Sequence, residues 1–209
     1  MLTDPSQYSL SFCERENLPI IDGELYYYRN WLSEHAAAQL FLVLQRKVAW
    51  QQTRIKLYGK SVPIPRLNAW YGDLGCHYSY SNTQLELLPW LPELETVNQY
   101  LSDMLEYRFN SVLVNCYRNG SDSVAWHSDD EPELGPEPMI ASVSLGAERR
   151  FCLRHRYHNN MRKTLYLENG SLLVMAGKMQ HCWQHQLPKT SKIVSTRLNL
   201  TFRRVEVSE

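Results

Sequence analysis

The chain has 209 residues and a formal net charge of zero at pH 7, with 44% hydrophobic and 21% charged residues. This size and composition predict a single globular domain with a sizeable core and argue against disorder. The longest apolar stretch, residues 36–45, is too short to span a bilayer, and the N-terminus lacks the pattern of a secretory signal, so we expect no membrane association. Five cysteines without a C-x-x-C pair argue against a disulfide framework and a thiolate zinc site, and they favour a reducing, intracellular location.

The neutral net charge conceals three segments of different sign. Residues 35–66 contain six Lys/Arg and no acid, residues 67–148 contain thirteen acids, and residues 149–209 contain twelve Lys/Arg. If the two basic segments meet in space, they form an electropositive surface suited to phosphates. The alternative is that each segment is simply a solvated face.

Two helices are predicted in the first half of the chain. Ser33 is a candidate N-cap for an Ala/Leu/Gln-rich run that ends near Lys47, and Pro92 opens a second run with helical spacing of apolar residues. Beyond about residue 110, eight short β-rich runs are separated by turns. This pattern predicts a mainly β fold of the α+β class, an antiparallel jelly roll with the helices supporting one face.

A histidine and a carboxylate stand two residues apart in "AWHSDDEP". In a strand, His127 and Asp129 would project to the same side, and this pair suits Fe(II) if a second histidine joins it. His181 and His185 in "HCWQHQLP" have the same parity, so alternation leaves both open. An isolated H-x-D pair is more typical of a surface turn.

The C-terminal run "RLNLTFR" predicts an amphipathic strand. Arg197, Asn199, Thr201 and Arg203 fall on one face, and the apolar residues between them fall on the other. Two arginines on one face can hold a dianion, because each guanidinium can bind a carboxylate with two hydrogen bonds. Asn115 and Tyr117 offer further hydrogen-bonding groups. An edge strand with solvated arginines is the alternative.

Taken in order, "LVNCYRNGSDSVAWHSDDEP", "IASVSLGAERRF", "HCWQHQLP" and "RLNLTFR" resemble the AlkB family of Fe(II)- and 2-oxoglutarate-dependent dioxygenases, which repair alkylated nucleic-acid bases. The resemblance runs from about residue 66 to the C-terminus. It implies a double-stranded β-helix, which is a jelly roll, and it selects His185 over His181 as the third Fe(II) ligand beside His127 and Asp129. The residues that it implies for 2-oxoglutarate are Arg197 at the distal carboxylate, Arg203 nearer the metal, and Asn115, Tyr117 and Asn199 in support.

The substrate side is predicted from the same resemblance. Residues 50–90 resemble the nucleotide-recognition lid, in which Leu57-Tyr58-Gly59 is either a wedge that fills the gap left by a flipped base or an ordinary hairpin. Tyr78 and Tyr80 are the candidate pocket aromatics, whereas Trp70 and Tyr71 are expected in the core or as lid support. Asp130 and Glu131 are expected to contact the base, with a solvated turn as the alternative. Arg156 is expected to contact a phosphate and to share a strand face with Arg154. His155 and His158 are expected at the surface.

The implied function is demethylation of N-alkylated bases such as 1-methyladenine and 3-methylcytosine in DNA, or also in RNA. Fe(II), 2-oxoglutarate and O2 would be required, and formaldehyde, succinate and CO2 would be released. One alternative is a 2-oxoglutarate oxygenase acting on a protein or small molecule, and another is a silent binding module. We expect one domain over residues 1–209 with its jelly-roll core at about 110–205. We also expect a monomer, located in the cytoplasm if bacterial and in the nucleus if eukaryotic.

Overall fold

A computed structural model describes residues 14–57, 59–76, 79–80 and 83–206. The helices of this part are α1 (Glu34–Lys47), α2 (Pro92–Leu105) and the short α3 (Met179–Cys182). The strands are β1 (Arg15–Asn17), β2 (Glu24–Tyr28), β3 (Arg54–Leu57), β4 (Lys60–Pro63), β5 (Leu67–Gly72), β6 (Ser79–Tyr80), β7 (Thr83–Gln84), β8 (Leu87–Leu88), β9 (Ser111–Tyr117), β10 (Val124–His127), β11 (Ile140–Gly146), β12 (Arg149–His155), β13 (Arg162–Leu167), β14 (Ser171–Ala176), β15 (Trp183–Leu187) and β16 (Arg197–Arg203). Every helix of the described residues is too short or too polar to cross a membrane.

Two sheets face each other, as expected for a jelly roll. Within the described residues, the larger sheet has eight strands in the order β1-β2-β14-β11-β16-β9-β5-β8, and the smaller has four in the order β10-β15-β12-β13. The pairs β3–β4 and β6–β7 are separate hairpins. The predicted mainly β jelly roll is confirmed.

The outer face of the larger sheet packs against the two long helices. Alternate residues of β16, including Leu198, Leu200 and Phe202, join Leu40 of α1 and Leu94 of α2 in one buried apolar cluster. A second apolar cluster fills much of the space between the sheets. Because strand residues alternate in direction, the intervening polar residues of β16 point to the inner face, where the candidate site lies.

Both predicted helices are confirmed. The Ser33 hydroxyl accepts a hydrogen bond from the Ala36 backbone N–H at the start of α1, and Pro92 occupies the first turn of α2. All eight β-rich runs predicted beyond residue 110 are strands.

Four strands of the larger sheet, β1, β2, β5 and β8, lie outside the predicted core at about 110–205. Strand β2 pairs with β14, and β5 pairs with β9 although it falls inside the predicted lid at 50–90. Trp70 and Tyr71 of β5 are buried, which confirms the expectation for them. The region at 50–90 therefore contains part of the core sheet, and a lid role concerns only the segments on either side of β5.

Candidate active site

One His/Asp/His cluster lies at the edge of the smaller sheet. One donor atom from each of His127, Asp129 and His185 lies within 4.8 Å of the other two. His127 and His185 are register partners in β10 and β15, and their ring centroids are 4.2 Å apart. These two imidazoles and one carboxylate are the donor set expected for a non-haem Fe(II) site.

The predicted position of both residues on one strand is wrong, because β10 ends at His127 and Asp129 follows it. Asp129 is placed instead by long-range contacts. Its backbone N–H donates to Gln180 Oε1 at 3.0 Å, and the Ser128 hydroxyl donates to the Trp183 carbonyl at 2.9 Å. The Arg203 guanidinium donates to Asp129 Oδ2 at 2.9 Å, while Oδ1 has no hydrogen-bond partner among the described residues. A buried carboxylate oxygen that has no hydrogen-bond partner and lies 3.8 Å from His127 Nε2 fits a metal ion.

The protonation states of the cluster also fit a metal. Burial lowers the pKa of His127, and burial together with the neighbouring His127 lowers the pKa of His185 to about 3. Burial is the largest influence on Asp129 and opposes its ionisation, but the charge of Arg203, the neighbouring His185 and His127, and the hydrogen bond from Arg203 together outweigh it and lower the pKa to about 2. The His127 Nδ1–H donates to the Ala125 carbonyl at 2.9 Å, which leaves the Nε2 lone pair available to bind a metal ion. Neutral imidazoles and an ionised carboxylate are the forms that bind metals.

The competing histidine lies elsewhere. His181 belongs to α3, is exposed, and its ring contacts the Pro136 carbonyl oxygen. The structure therefore brings His185, and not His181, into the cluster.

A second group, Asp22, His155 and His158, also has three donor atoms in proximity. The backbone N–H groups of Tyr157 and His158 each donate to His155 Nδ1 at 3.1 Å. Because Nδ1 accepts both hydrogens, the ring proton lies on Nε2 and is donated to Asp22 Oδ2 at 3.2 Å, so neither ring nitrogen of His155 has a free lone pair. His155 is a buried structural residue, and the expected surface position was wrong for it, although His158 is exposed.

A cavity that is partly open to solvent joins the cluster to β9 and β16. Arg197 is only 1% exposed there. Its Nη2 donates to the Ser144 hydroxyl at 2.9 Å, and its guanidinium lies 5.4 Å from the centre of the Tyr117 ring. Its Nε and Nη1 have no hydrogen-bond partner among the residues described. Burial, reinforced by the charge of Arg149, lowers the pKa of Arg197 to about 10. A buried cation with two unused donors fits a carboxylate such as that of 2-oxoglutarate.

The two predicted asparagines are engaged differently. Asn115 Oδ1 accepts a hydrogen bond from Arg66 Nε at 2.9 Å. Asn199 donates its amide hydrogens to the Ser142 hydroxyl at 2.8 Å and the Val143 carbonyl at 3.2 Å, and its oxygen accepts from Thr201. Both residues line the cavity, but the Asn199 hydrogens are already used within the protein.

Sequence reasoning missed several residues in or next to the cavity. Ser142, which lines the cavity, and Ser144, which accepts a hydrogen bond from Arg197, have the same parity in "ASVSLG", a signal that could have placed them on the inner face. The Phe151 ring stacks on His185 with centroids 5.3 Å apart. Arg66 precedes its strand, and Gln180 lies in the short helix α3, so no periodicity marks either one.

The predicted substrate residues are only partly described. Tyr58 and Tyr78 lie outside the described residues, and for Tyr80 only the backbone, in β6, is described. Arg156 Nη1 donates to Asp130 Oδ2 at 2.8 Å, so the structure joins these two residues to each other. Glu131 begins a short 3-10 turn at Pro132–Leu134.

Comparison with known proteins agrees with this site. Residues 24–203 match the profile of the 2OG-Fe(II) oxygenase superfamily. The human DNA oxidative demethylase ALKBH2 is 37% identical over 179 residues, which cover 81% of this chain and 69% of that protein. The chain belongs to the AlkB family. Alpha-ketoglutarate-dependent dioxygenase alkB homolog 3 is 43% identical in mouse and 45% in human, each over 171 residues.

Coverage differs among these AlkB relatives. The match to alkB homolog 3 covers 78% of this chain but only 59% of the mouse and human proteins. The solved structure of OsALKBH1 superposes with a TM-score of 0.64 at 17% identity, covering 91% of this chain and all of that one. At this identity the superposition supports the fold alone.

Proposed function

We propose that this AlkB-family chain is an Fe(II)- and 2-oxoglutarate-dependent dioxygenase that demethylates N-alkylated bases in DNA, or also in RNA. The observation that carries the proposal is that one cavity contains both the His/Asp/His cluster and a buried arginine with two unused donors. The name of human ALKBH2, a DNA oxidative demethylase, supports the choice of substrate.

Six of the residues that line the cavity have a role in this proposal. His127, Asp129 and His185 would hold the metal, and Arg197 would bind the distal carboxylate of 2-oxoglutarate beside Tyr117. Arg203 fixes Asp129 through its hydrogen bonds and adds positive charge at the metal-binding end of the cosubstrate. Metal, cosubstrate and O2 together supply the oxidation of the N-methyl group. The protein binds the cosubstrate in a buried cavity and limits the access of water.

Exposed lysines and a half-buried arginine–tryptophan pair support a nucleic-acid substrate. Lys56 and Lys60 are exposed in the β3–β4 hairpin, and Arg154 lies 4.4 Å from the centre of the Trp126 ring. In the proposal Arg156 contacts a phosphate and Asp130 and Glu131 contact the base, which requires the Arg156–Asp130 pair to open. Tyr78 and Tyr80 would contact the flipped base, and Tyr58 would fill the gap that the base leaves in the duplex.

The test is turnover with oligonucleotides that carry 1-methyladenine or 3-methylcytosine, single-stranded and double-stranded, with Fe(II), 2-oxoglutarate and O2. We expect succinate, formaldehyde and repaired base in equal amounts, and none of them from Asp129→Ala. Succinate without repaired base would favour a protein or small-molecule substrate. No succinate from the iron-loaded parent would contradict the dioxygenase activity itself.

A further inference from the structure

The orientation of one amide decides how well the cavity receives an anion. The side chain of Asn115 has an oxygen that accepts hydrogen bonds and a nitrogen that donates two. It lies among the cavity residues, on the β9 strand next to β16. With its nitrogen toward the cavity, Asn115 would attract a carboxylate, and with its oxygen toward the cavity it would repel one.

Arg66 fixes this orientation. Its Nε donates to Asn115 Oδ1 at 2.9 Å, and its Nη1 donates to the Ser123 carbonyl at 3.4 Å. A guanidinium has five donors and no acceptor, so only the oxygen end of the amide can make this contact. Both side chains are buried, with residue exposures of 4% and 5%, so water cannot readily replace the contact. The amide nitrogen is therefore left for the cavity.

The contrast with Asn199 strengthens this reading. Asn199 faces the same cavity from β16, yet its two amide hydrogens are donated to Ser142 and Val143. Asn115 instead accepts a hydrogen bond from Arg66 through its oxygen, so its own amide hydrogens are left for another partner. Arg66 comes from the segment that joins the β3–β4 hairpin to β5, so this contact links the predicted lid region to the cavity.

We propose that Arg66 is a positioning residue for the cosubstrate: it holds the Asn115 amide with its nitrogen toward bound 2-oxoglutarate. This inference rests on the proposed function, because it assigns 2-oxoglutarate to the cavity. Arg66 acts through Asn115 and does not itself contact the cosubstrate in this proposal.

The test is a double-mutant cycle on cosubstrate binding. Isothermal titration of the Mn(II)-loaded protein with 2-oxoglutarate, without O2, measures affinity independently of turnover. We expect Arg66→Met to weaken binding by about tenfold to a hundredfold, the range for a hydrogen bond to a charged group. In an Asn115→Ala background the same substitution should cost less than about threefold, because coupled residues are not additive. Mn(II) affinity should stay within about twofold, since the metal-binding side chains are retained.

Matched variants keep the result interpretable. Arg150→Met removes an exposed arginine of β12 and should leave 2-oxoglutarate binding unchanged. Arg66→Lys retains a donor and the charge, so it should recover part of the affinity even if Arg66→Met folds poorly. Unchanged binding in Arg66→Met, no recovery in Arg66→Lys, or a full loss that persists in the Asn115→Ala background would each overturn the proposal. A parent that binds 2-oxoglutarate but demethylates no base would contradict only the proposed function, because the titration does not depend on turnover.

Discussion

Arg197 allows a prediction with opposite effects on stability and binding. Its guanidinium is buried with two unused donors, and its pKa falls from the usual 12.5 to about 10 because of burial and the charge of Arg149. At about 1.36 kcal/mol per pH unit, this shift corresponds to roughly 3 kcal/mol of cost for the charged group in the ligand-free protein. Replacing an uncompensated buried charge with an apolar residue of similar length can therefore stabilise a fold.

We expect Arg197→Met to stabilise the ligand-free protein and to abolish 2-oxoglutarate binding. The substitution removes the roughly 3 kcal/mol cost of burying the Arg197 charge and loses about 1 kcal/mol with the hydrogen bond to Ser144. The expected net gain in the free energy of unfolding is about 2 kcal/mol. For a domain of this size, the gain corresponds to a rise in Tm of about 4–8 °C. Thermal unfolding with and without 2-oxoglutarate at about 100 times its Kd should show a ligand-induced gain of about 2.7 kcal/mol in the parent and none in the variant.

Arg149→Met is the matched control. Arg149 is also buried, but it donates to the carbonyl oxygens of Asn119, Asp122 and Pro188 at 2.8–3.0 Å. Its removal leaves buried acceptors unsatisfied, so we expect a loss of about 3 kcal/mol. If Arg197→Met lowers the Tm as Arg149→Met does, or if 2-oxoglutarate still stabilises Arg197→Met, the guanidinium is a structural group and the reasoning is refuted.

Three further predictions concern residues around the cavity. Burial raises the pKa of the Asp122 carboxyl, but the hydrogen bonds and charge of Arg118 outweigh this effect and lower it. The pair therefore stabilises the fold above the unfolded pKa of about 4, and this stabilisation is lost as the pH falls through the folded pKa. Asp122→Asn should lower the free energy of unfolding in urea by about 1.5–3 kcal/mol at neutral pH and flatten its dependence below about pH 4, and an unchanged acid profile would contradict this. Gln180→Met should weaken Mn(II) binding by about tenfold, because Gln180 accepts a hydrogen bond from the Asp129 backbone N–H. Gln186→Met, which changes a residue outside the cavity, should leave Mn(II) binding unchanged. Equal Mn(II) affinities of the two variants would refute the positioning role of Gln180. Asn199→Ala should cost about 1–3 kcal/mol of stability but change the 2-oxoglutarate Kd less than about threefold, and a larger loss in titration would show that Asn199 binds the cosubstrate directly.

The sequence predicted those features that depend on local spacing. Alternation in "RLNLTFR" placed Arg197 and Arg203 on the inner face and Leu198 on the outer face, because strand geometry has a fixed period of two. The N-cap at Ser33 and the proline at the start of α2 marked both long helices. These signals lie within a few residues of the feature that they predict.

Features set by contacts distant in sequence could not be predicted. Asp129 joins the cluster after its strand has ended, through Gln180 and Arg203, which lie 51 and 74 residues away. His155 is buried, and its ring donates a hydrogen bond to Asp22, which lies 133 residues away. Only the resemblance to a family distinguished His185 from His181, since both have the same parity.

The packing of the larger sheet explains how a polar cavity can occupy the middle of a jelly roll. In a two-sheet sandwich the inner faces normally form the apolar core. Here α1 and α2 cover the outer face of the larger sheet, so Leu198, Leu200 and Phe202 form a core away from the cavity. The inner face of β16 therefore does not have to be apolar and can carry two arginines. Their burial lowers the stability of the ligand-free protein. The same strand contributes to both faces, so a one-residue shift of β16 would place Arg197 in the apolar core. The pairing register of β16 with its neighbouring strands therefore determines both the site and the core.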